Sequence, residues 1–286
     1  MRTIQLTDDN LMPDADELGG QFLDACHYER VIEDSTTVLK PDGTPLLMYV
    51  QDALPRSLCR AAFDAFKDAP LHSSNRGMAA GGRFRPRKKD GTRSRTVQSR
   101  PMPSGVVGFL DRSVRNPYCR MTALSLDHLE KFKAAQPFFV AASQTFEALA
   151  PDRWAAQRDF VDDVAKDFSI SDTVFTTVTV NRSWRTAAHR DAEDYRPGLG
   201  VMAALEGGHY AGCELIFPKY RTAVDLRTGG LLLADVHELH GNAPLVVRPP
   251  HQRLSFVFYA REKMQLCGSA AEELERAKQL PGVGDV

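Results

Sequence analysis

The spacing of hydrophobic positions in this 286-residue chain changes character near residue 170. Before that point, apolar residues recur every three to four positions, the period of a helix with one buried face. The pattern predicts a helix that begins at Pro55 and another over Asp127–Leu149, interrupted or restarted at Pro137. A further helix is predicted over Asp152–Phe168, and a strand at Pro45–Val50. The first part of the chain is therefore expected to be mainly helical.

After residue 170 the pattern becomes that of short β-strands. Val174–Val180 alternates β-branched residues, and the apolar runs that follow it are separated by glycine and proline turns. Many short strands at this spacing indicate a sandwich or a jelly-roll barrel. The expected fold is α+β, a double-stranded β-helix (jelly-roll) barrel buttressed by N-terminal helices. The further runs are 199–205, 213–217, 223–226, 230–236, 245–247 and 253–260.

The pattern indicates a single domain, and no internal repeat is present. Residues 1–35 are polar and weakly patterned, so an N-terminal arm is expected there. The remaining parts are a helical support (36–170), a barrel core (171–262) and a C-terminal helical segment (263–286), with its helix at Ala270–Gln279.

Composition narrows the class of protein. The apolar share of 43% supports a sizeable core, and the charged share of 26% indicates a solvated surface. No stretch approaches the roughly 20 consecutive apolar residues of a membrane-spanning helix, so no membrane association is predicted. The N-terminal segment is acidic and lacks the apolar region of a secretory signal.

The five cysteines are scattered and form no CxxC pair. This pattern favours reduced thiols over a zinc finger or a disulfide framework. The expected location is therefore cytoplasmic, or nuclear if the source is eukaryotic. The net charge of −1 excludes a generally basic nucleic-acid binder but leaves room for a local basic patch.

A histidine and an aspartate stand two positions apart, shortly after Val174–Val180. His189 and Asp191 would point to the same side of an extended segment, because alternate residues of a strand share a face. An imidazole and a carboxylate placed in this way can bind one ion. The pair alone is weak evidence, since such side chains are mostly exposed and solvated.

His240, which follows the apolar run 230–236, strengthens the metal hypothesis. Two histidines and one carboxylate, with three positions left open, form the facial triad that suits non-haem Fe(II). The open positions would accommodate a bidentate 2-oxoacid and dioxygen. His237 competes as the distal ligand, but His240 is preferred because Gly241-Asn242 follows it as a turn. His209, itself in a turn, is expected to be exposed.

Arg253 and Ser255 stand on one face of the last predicted strand. A dicarboxylate co-substrate needs a cation at the far end of its pocket, and the planar fork of arginine suits a carboxylate better than lysine does. The serine hydroxyl would complete the grip. The alternative is that Arg253 is a solvated charge on an edge strand.

The run from Val178 to Arg261, with VNRSWRTAAHRDAEDY, LLLADVHELHGN and RLSFVFYAR, resembles the TET/JBP family of 2-oxoglutarate oxygenases. The upstream phrase GVVGFLDRSVRNPYCRMTAL (105–124) is similar to phage and protist members. Such enzymes hydroxylate the 5-methyl group of pyrimidine bases in nucleic acid. The resemblance covers roughly residues 100–262, and residues 1–75 carry none.

The resemblance implies a dioxygenase that uses Fe(II), 2-oxoglutarate and O2. Its expected reaction converts 5-methylcytosine in DNA to 5-hydroxymethylcytosine, with further oxidation left open, on a base flipped out of the duplex. The iron ligands that it implies are His189, Asp191 and His240, and the co-substrate residues are Arg253 and Ser255, with Asn181 or Arg120 assisting at the co-substrate or the base.

The third residue after the metal aspartate faces the flipped base in TET-like enzymes, and Asp194 holds that position here. A carboxylate would accept a hydrogen bond from the N4 amine of cytosine, whereas thymine presents a carbonyl at the same edge. Asp194 therefore favours 5-methylcytosine over thymine. The alternative is a carboxylate that caps a loop.

A basic segment at residues 77–100 supports DNA as the partner. It combines glycines with a single acid, Asp90, and is expected to be a mobile loop or a hairpin. Its cations suit phosphate contacts, which provide affinity without reading sequence. The cations are Arg83, Arg85, Arg87, Lys88, Lys89, Arg93, Arg95 and Arg100.

Three alternatives stay open at this point. The substrate base could be thymine. The chain could be a prolyl-hydroxylase-like oxygenase that acts on a protein or a small molecule. It could also be a nucleic-acid-binding or cupin-like module with a structural metal, although the complete triad with Arg253 argues against this. No protein partner is predicted.

Overall fold

The computed structural model describes residues 1–89, 91–114, 116–163 and 166–280. Asp90 of the basic segment and residues 281–286 of the predicted C-terminal segment lie outside the described residues.

The described residues form many short strands and five α-helices. The strands are β1 (Arg2–Gln5), β2 (Arg30–Ile32), β3 (Thr36–Leu39), β4 (Pro45–Val50), β5 (Arg83–Phe84), β6 (Gln98–Ser99), β7 (Ser104–Leu110), β8 (Arg120–Met121), β9 (Thr177–Arg182), β10 (Gly200–Gly207), β11 (Tyr210–Gly212), β12 (Leu215–Phe217), β13 (Thr222–Val224), β14 (Leu231–Ala234), β15 (Gly241–Asn242), β16 (Leu245–Val247) and β17 (Gln252–Tyr259). The helices are α1 (Arg56–Phe66), α2 (Ala123–Asp127), α3 (Leu129–Leu149), α4 (Pro151–Asp163) and α5 (Ala270–Lys278).

Two sheets frame the molecule. The larger is a mixed sheet in the order β1-β3-β4-β14-β10-β17-β9-β7-β8, and the smaller is β15-β12-β13-β2. The pairs β11-β16 and β5-β6 form two-stranded sheets. The predicted α+β class is confirmed.

The larger sheet has a helix-covered face and a face that turns towards the smaller sheet. Phe138 of α3 packs edge-on against Phe256 of β17, with ring centroids 5.2 Å apart. On the other face, Met202 of β10 and Leu232 of β14 join one apolar cluster with Phe217 of the smaller sheet. Alternate residues of β17 therefore have different surroundings. Leu254, Phe256 and Phe258 pack with the helices, while Arg253, Ser255, Val257 and Tyr259 line a cavity.

The segment 1–35, expected to be a weakly patterned arm, contributes to both sheets. β1 pairs in parallel with β3, and β2 pairs in parallel with β13. Leu23 between them is fully buried. The side chains of β1 are mostly exposed, so this edge strand carries little of the alternation that would reveal it in the sequence.

Helix α3 continues through Pro137, where an interruption or a restart was expected. Proline removes one backbone hydrogen bond, which would leave the carbonyl of Lys133 without its helical partner. Lys133 and Pro137 are both exposed, so solvent can reach this part of the helix. The break instead falls at His128, between α2 and α3. Of Asp152–Phe168, predicted as one helix, α4 covers the residues up to Asp163 and Lys166–Phe168 forms a short 3-10 turn, while residues 164 and 165 lie outside the described residues.

Cys119 and Cys267 form a disulfide, so the prediction that all five thiols are reduced is wrong for this pair. The two residues are 148 positions apart and form no local motif, and only folding brings them together. Within the described ranges, no helix has the length and hydropathy that crossing a membrane requires.

Candidate active site

Three side chains of types that can bind a metal converge at the edge of the smaller sheet. His189 and His240 pair across an antiparallel bridge, in which each backbone N–H donates to the other residue's carbonyl at 2.8 and 2.9 Å. One oxygen of Asp191 lies 3.6 Å from Nε2 of His189, and the other lies 3.6 Å from Nε2 of His240. All three ligand atoms fall within 4.8 Å of one another. One divalent ion can therefore contact all three.

Backbone carbonyls orient both imidazole rings. Nδ1 of His189 donates to the carbonyl of Ala187 at 2.8 Å, and Nδ1 of His240 donates to that of Glu238 at 3.0 Å. The proton on Nδ1 leaves the Nε2 lone pair free for a metal. Burial, with the neighbouring His189 second, lowers the pKa of His240 to about 4. His240 is thus neutral at physiological pH, which is the form that binds metals.

The Glu238 side chain contacts residues on both sides of this cluster of candidate ligands. The hydroxyl of Tyr220 donates to it at 2.6 Å, and Nζ of Lys40 lies 3.6 Å away. Nη1 of Arg190, the residue between the other two candidate ligands, lies 3.8 Å from its second oxygen. The backbone carbonyl of Glu238 accepts the hydrogen bond from Nδ1 of His240. The contacts of Glu238 therefore fix the backbone group that aims one ring.

Glu238→Ala should weaken the binding of a divalent transition metal by about tenfold. Residues that orient a metal ligand without touching the metal typically change the metal affinity by about 10- to 100-fold when they are mutated. Isothermal titration with Co²⁺ would measure the change. Glu275→Ala, which removes an exposed carboxylate paired with Lys278 on α5, serves as the matched control. An unchanged affinity in Glu238→Ala would show that the ring is aimed without this side chain.

A cavity of about 400 Å³ opens beside the cluster. Arg253 and Ser255 of β17 and Asn181 of β9 line it from the larger sheet, and Asn181 Nδ2 donates to Ser255 Oγ at 3.3 Å. Arg253 is buried, with its guanidinium carbon 5.5 Å from the centre of the Tyr210 ring. Its Nε has no hydrogen-bond partner within the described part. A buried guanidinium with an unused donor is costly unless a ligand anion satisfies it.

Asp194 also faces the cavity. It is 8% exposed, and its Oδ2 finds no hydrogen-bond partner among the residues described. Burial first, and the charge of Asp191 second, raise the pKa of Asp194 well above its ordinary value. A buried carboxyl oxygen that lacks a partner is an available acceptor for a polar ligand.

The structure decides between the competing histidines. His237 is not among the residues that line the cavity, whereas His240 is, and His209 is exposed as expected. Arg120, a candidate for the co-substrate or the base, does not line the cavity either. Its Nη1 lies 3.4 Å from the carbonyl of Tyr118.

Arg76 and Tyr259 line the cavity but were missed from the sequence. Nη1 of Arg76 donates to Thr179 Oγ1 at 3.4 Å, while its Nε and Nη2 lack partners in the described ranges. Burial lowers the pKa of Arg76. No local motif marks either residue. The only signal was their position: Arg76 lies just ahead of the basic segment, and Tyr259 lies on the same face of β17 as Arg253.

The basic segment forms a hairpin in which β5 pairs with β6. Its eight predicted cations are all exposed. Arg83 alone among these eight lines the cavity, and Arg100 lies in an adjoining recess.

Comparisons with known proteins agree with this geometry. The Tet_JBP family model, described as the oxygenase domain of the 2OGFeDO superfamily, matches residues 108–262, more than half of the chain. The chain is 30% identical over 237 residues to the bifunctional helicase and thymine dioxygenase JBP2 of Leishmania tarentolae. It is 28% identical over 260 residues to the thymine dioxygenase JBP1 of Crithidia fasciculata.

These alignments cover 82% and 89% of this chain but only 19% and 30% of the relatives, so the chain spans a minor part of their length. A solved structure of NgTET1 in complex with 5mC DNA has a similar fold, with a TM-score of 0.60 at 14% identity. That match covers 88% of this chain and 91% of the other.

Proposed function

Because the chain belongs to the Tet/JBP family of Fe(II)- and 2-oxoglutarate-dependent oxygenases, we propose that it hydroxylates the 5-methyl group of 5-methylcytosine in DNA. The product would be 5-hydroxymethylcytosine. The observation that carries this choice of base is the buried Asp194, which faces the cavity with one oxygen unpartnered. Family membership carries the enzyme class and the use of iron, 2-oxoglutarate and O2.

In this proposal His189, Asp191 and His240 hold the iron. Two imidazoles and one carboxylate are the donor set that suits non-haem Fe(II), and three protein ligands leave room for the co-substrate. The bound iron, with 2-oxoglutarate and O2, supplies the oxidising chemistry. The protein residues hold the metal, orient the methyl group towards it and limit the access of water.

Arg253 would hold the distal carboxylate of 2-oxoglutarate, with Ser255 and Asn181 beside it. Its free Nε and its burial support this role, because an incoming carboxylate would satisfy both the hydrogen bond and the charge. The fit is chemical as well as spatial, since the planar guanidinium can grip two carboxylate oxygens.

Asp194 would read the exocyclic edge of the base. The N4 amine of 5-methylcytosine can donate to the unpartnered oxygen, whereas O4 of thymine would be repelled by a carboxylate. A base inside duplex DNA cannot reach a recessed metal centre, so the target nucleotide must be flipped out of the stack. The exposed cations of the β5–β6 hairpin are suited to hold the flanking phosphates.

Thymine is the second candidate substrate, and the names of the relatives favour it. Asp194 is compatible with thymine only in its protonated form, which could donate to O4, and burial, followed by the charge of Asp191, raises the pKa of Asp194 in that direction. We further propose that the two main sheets are the halves of a double-stranded β-helix and that the chain forms one domain.

Nucleoside mass spectrometry tests the proposal directly. The protein would be incubated with Fe(II), 2-oxoglutarate and ascorbate on a duplex that carries 5-methylcytosine and, in parallel, on an unmethylated duplex that contains thymine. Formation of 5-hydroxymethylcytosine is the expected result. Formation of 5-hydroxymethyluracil instead would transfer the function to thymine, and oxidation of neither base would refute action on DNA methyl groups.

Asp194→Ala should lower kcat/KM for the 5-methylcytosine duplex by about 10- to 100-fold, the effect of losing a specific base contact worth about 1–3 kcal/mol. Uncoupled consumption of 2-oxoglutarate should persist, because the iron ligands are untouched. Succinate release measured without DNA is the control. Equal activity of the variant and the wild type on this duplex would mean that Asp194 does not read the base.

A further inference from the structure

The β5–β6 hairpin is anchored at one end to the wall of the cavity. Arg83 pairs with Ser99, and Phe84 pairs with Gln98. The buried Ser99 accepts a hydrogen bond from the backbone N–H of Arg76 at 2.9 Å and donates its own N–H to the carbonyl of Ser74 at 2.9 Å. Because Arg76 lines the cavity, the hairpin is held at a defined place relative to it.

Phe84 is the single aromatic residue of the segment 77–100. Its side chain is 46% exposed, and it belongs to none of the apolar clusters formed by the described residues. Phe84, Arg83 and Arg100 line a recess that adjoins the cavity, since Arg83 lines both. A large aromatic ring therefore stands exposed near the cavity, flanked by cations.

This combination suits one kind of partner. The cations draw in the phosphates of a duplex, which would bring the ring of Phe84 against the grooves and the stacked bases. Apolar side chains inserted between base steps unstack them and offset the loss with new stacking contacts. A duplex that loses one base into a cavity leaves a gap beside the remaining stack.

We propose that Phe84 inserts into the DNA base stack and occupies the space that the target base leaves as it enters the cavity. This inference rests on the proposed function and adds how the base is extracted. Phe84 acts on the DNA and not on the iron or the co-substrate. Its removal should therefore affect duplex DNA, in which the base must be unstacked, far more than single-stranded DNA.

The test compares Phe84→Ala with the wild-type protein on a duplex and on the same methylated strand alone. For Phe84→Ala, kcat/KM should fall by about tenfold or more on the duplex and by less than about twofold on the single strand. A mismatch opposite the target base should restore part of the duplex activity, since less pairing must then be broken. Phe84→Trp should retain activity, because it keeps an aromatic ring.

Two controls separate insertion from general effects. Leu274→Ala removes an exposed apolar side chain from α5 and should leave both activities unchanged. A duplex with 2-aminopurine next to the target base reports unstacking without any oxidation. Its fluorescence should rise on binding the wild-type protein and should not rise with Phe84→Ala.

Equal losses on the duplex and the single strand would overturn the inference, as would full activity of Phe84→Ala on the duplex. If the wild-type protein oxidises neither base, the proposed function fails. The fluorescence assay then decides the inference alone: a rise that depends on Phe84 supports insertion, and its absence refutes it.

Discussion

Asp191→Ala should abolish product formation, with a loss of more than about 1,000-fold in kcat, equivalent to more than about 4 kcal/mol. The reason is geometric. The Asp191 carboxylate reaches both imidazoles, with one oxygen 3.6 Å from each Nε2, so its removal leaves only the two imidazoles and no anionic ligand for the ion. Discontinuous assays of succinate and of oxidised nucleosides would both measure the loss.

A binding measurement separates lost iron from a lost fold. Anaerobic equilibrium dialysis of Fe(II) should show greatly weakened binding in Asp191→Ala, while circular dichroism stays that of the wild type. Asp162→Ala, which removes an exposed carboxylate of α4, is the matched control and should bind iron normally. Retained stoichiometric iron in Asp191→Ala would place the metal elsewhere.

Arg253→Ala should raise KM for 2-oxoglutarate by about 30-fold or more, because breaking a buried charge pair typically costs about 2–5 kcal/mol. Arg253→Lys keeps the charge but loses the planar fork, so an intermediate increase is expected. Initial rates across a range of 2-oxoglutarate concentrations would give both values. If Arg253 contacts only the co-substrate, kcat at saturation should change far less than KM.

A neighbouring arginine provides the control. Arg227 stacks on the same Tyr210 ring, 4.3 Å from its centroid, but pairs with Asp225 and does not line the cavity. Arg227→Lys should leave KM within about twofold of the wild type.

A 2-oxoacid that lacks the distal carboxylate should be used poorly by the wild type, and Arg253→Ala should reduce that preference. An unchanged preference would mean that Arg253 does not hold the distal carboxylate.

Local patterns located the strands that carry the candidate site, with different precision. The predicted run 253–260 lies within one residue of β17, where a strand with one face on a core repeats every two residues, whereas Val174–Val180 overlaps β9 only at residues 177–180. The same rule placed Arg253 and Ser255 on one face. The order of H-x-D, His and Arg-x-Ser along the chain was therefore enough to indicate an oxygenase site.

Other parts of the fold left little trace in the local pattern. β1 and β2 are short and lie at sheet edges, so few of their side chains are buried. β7 carries Gly105 and Gly108, which interrupt the apolar alternation. Each is held by pairing with a partner distant in sequence, and such pairing cannot be deduced from one segment alone.

The sequence by itself determined the residue types that can bind iron and 2-oxoglutarate, since these follow from ligand chemistry and short spacings. The sequence favoured His240 over His237, and the tertiary structure brings His240 next to His189 and Asp191. Only the tertiary structure decided that Arg76 reaches the cavity and that Arg120 does not. It also joined Cys119 to Cys267. These outcomes depend on how strands pair and sheets stack over long chain separations, where a shift of one residue moves a side chain to the opposite face.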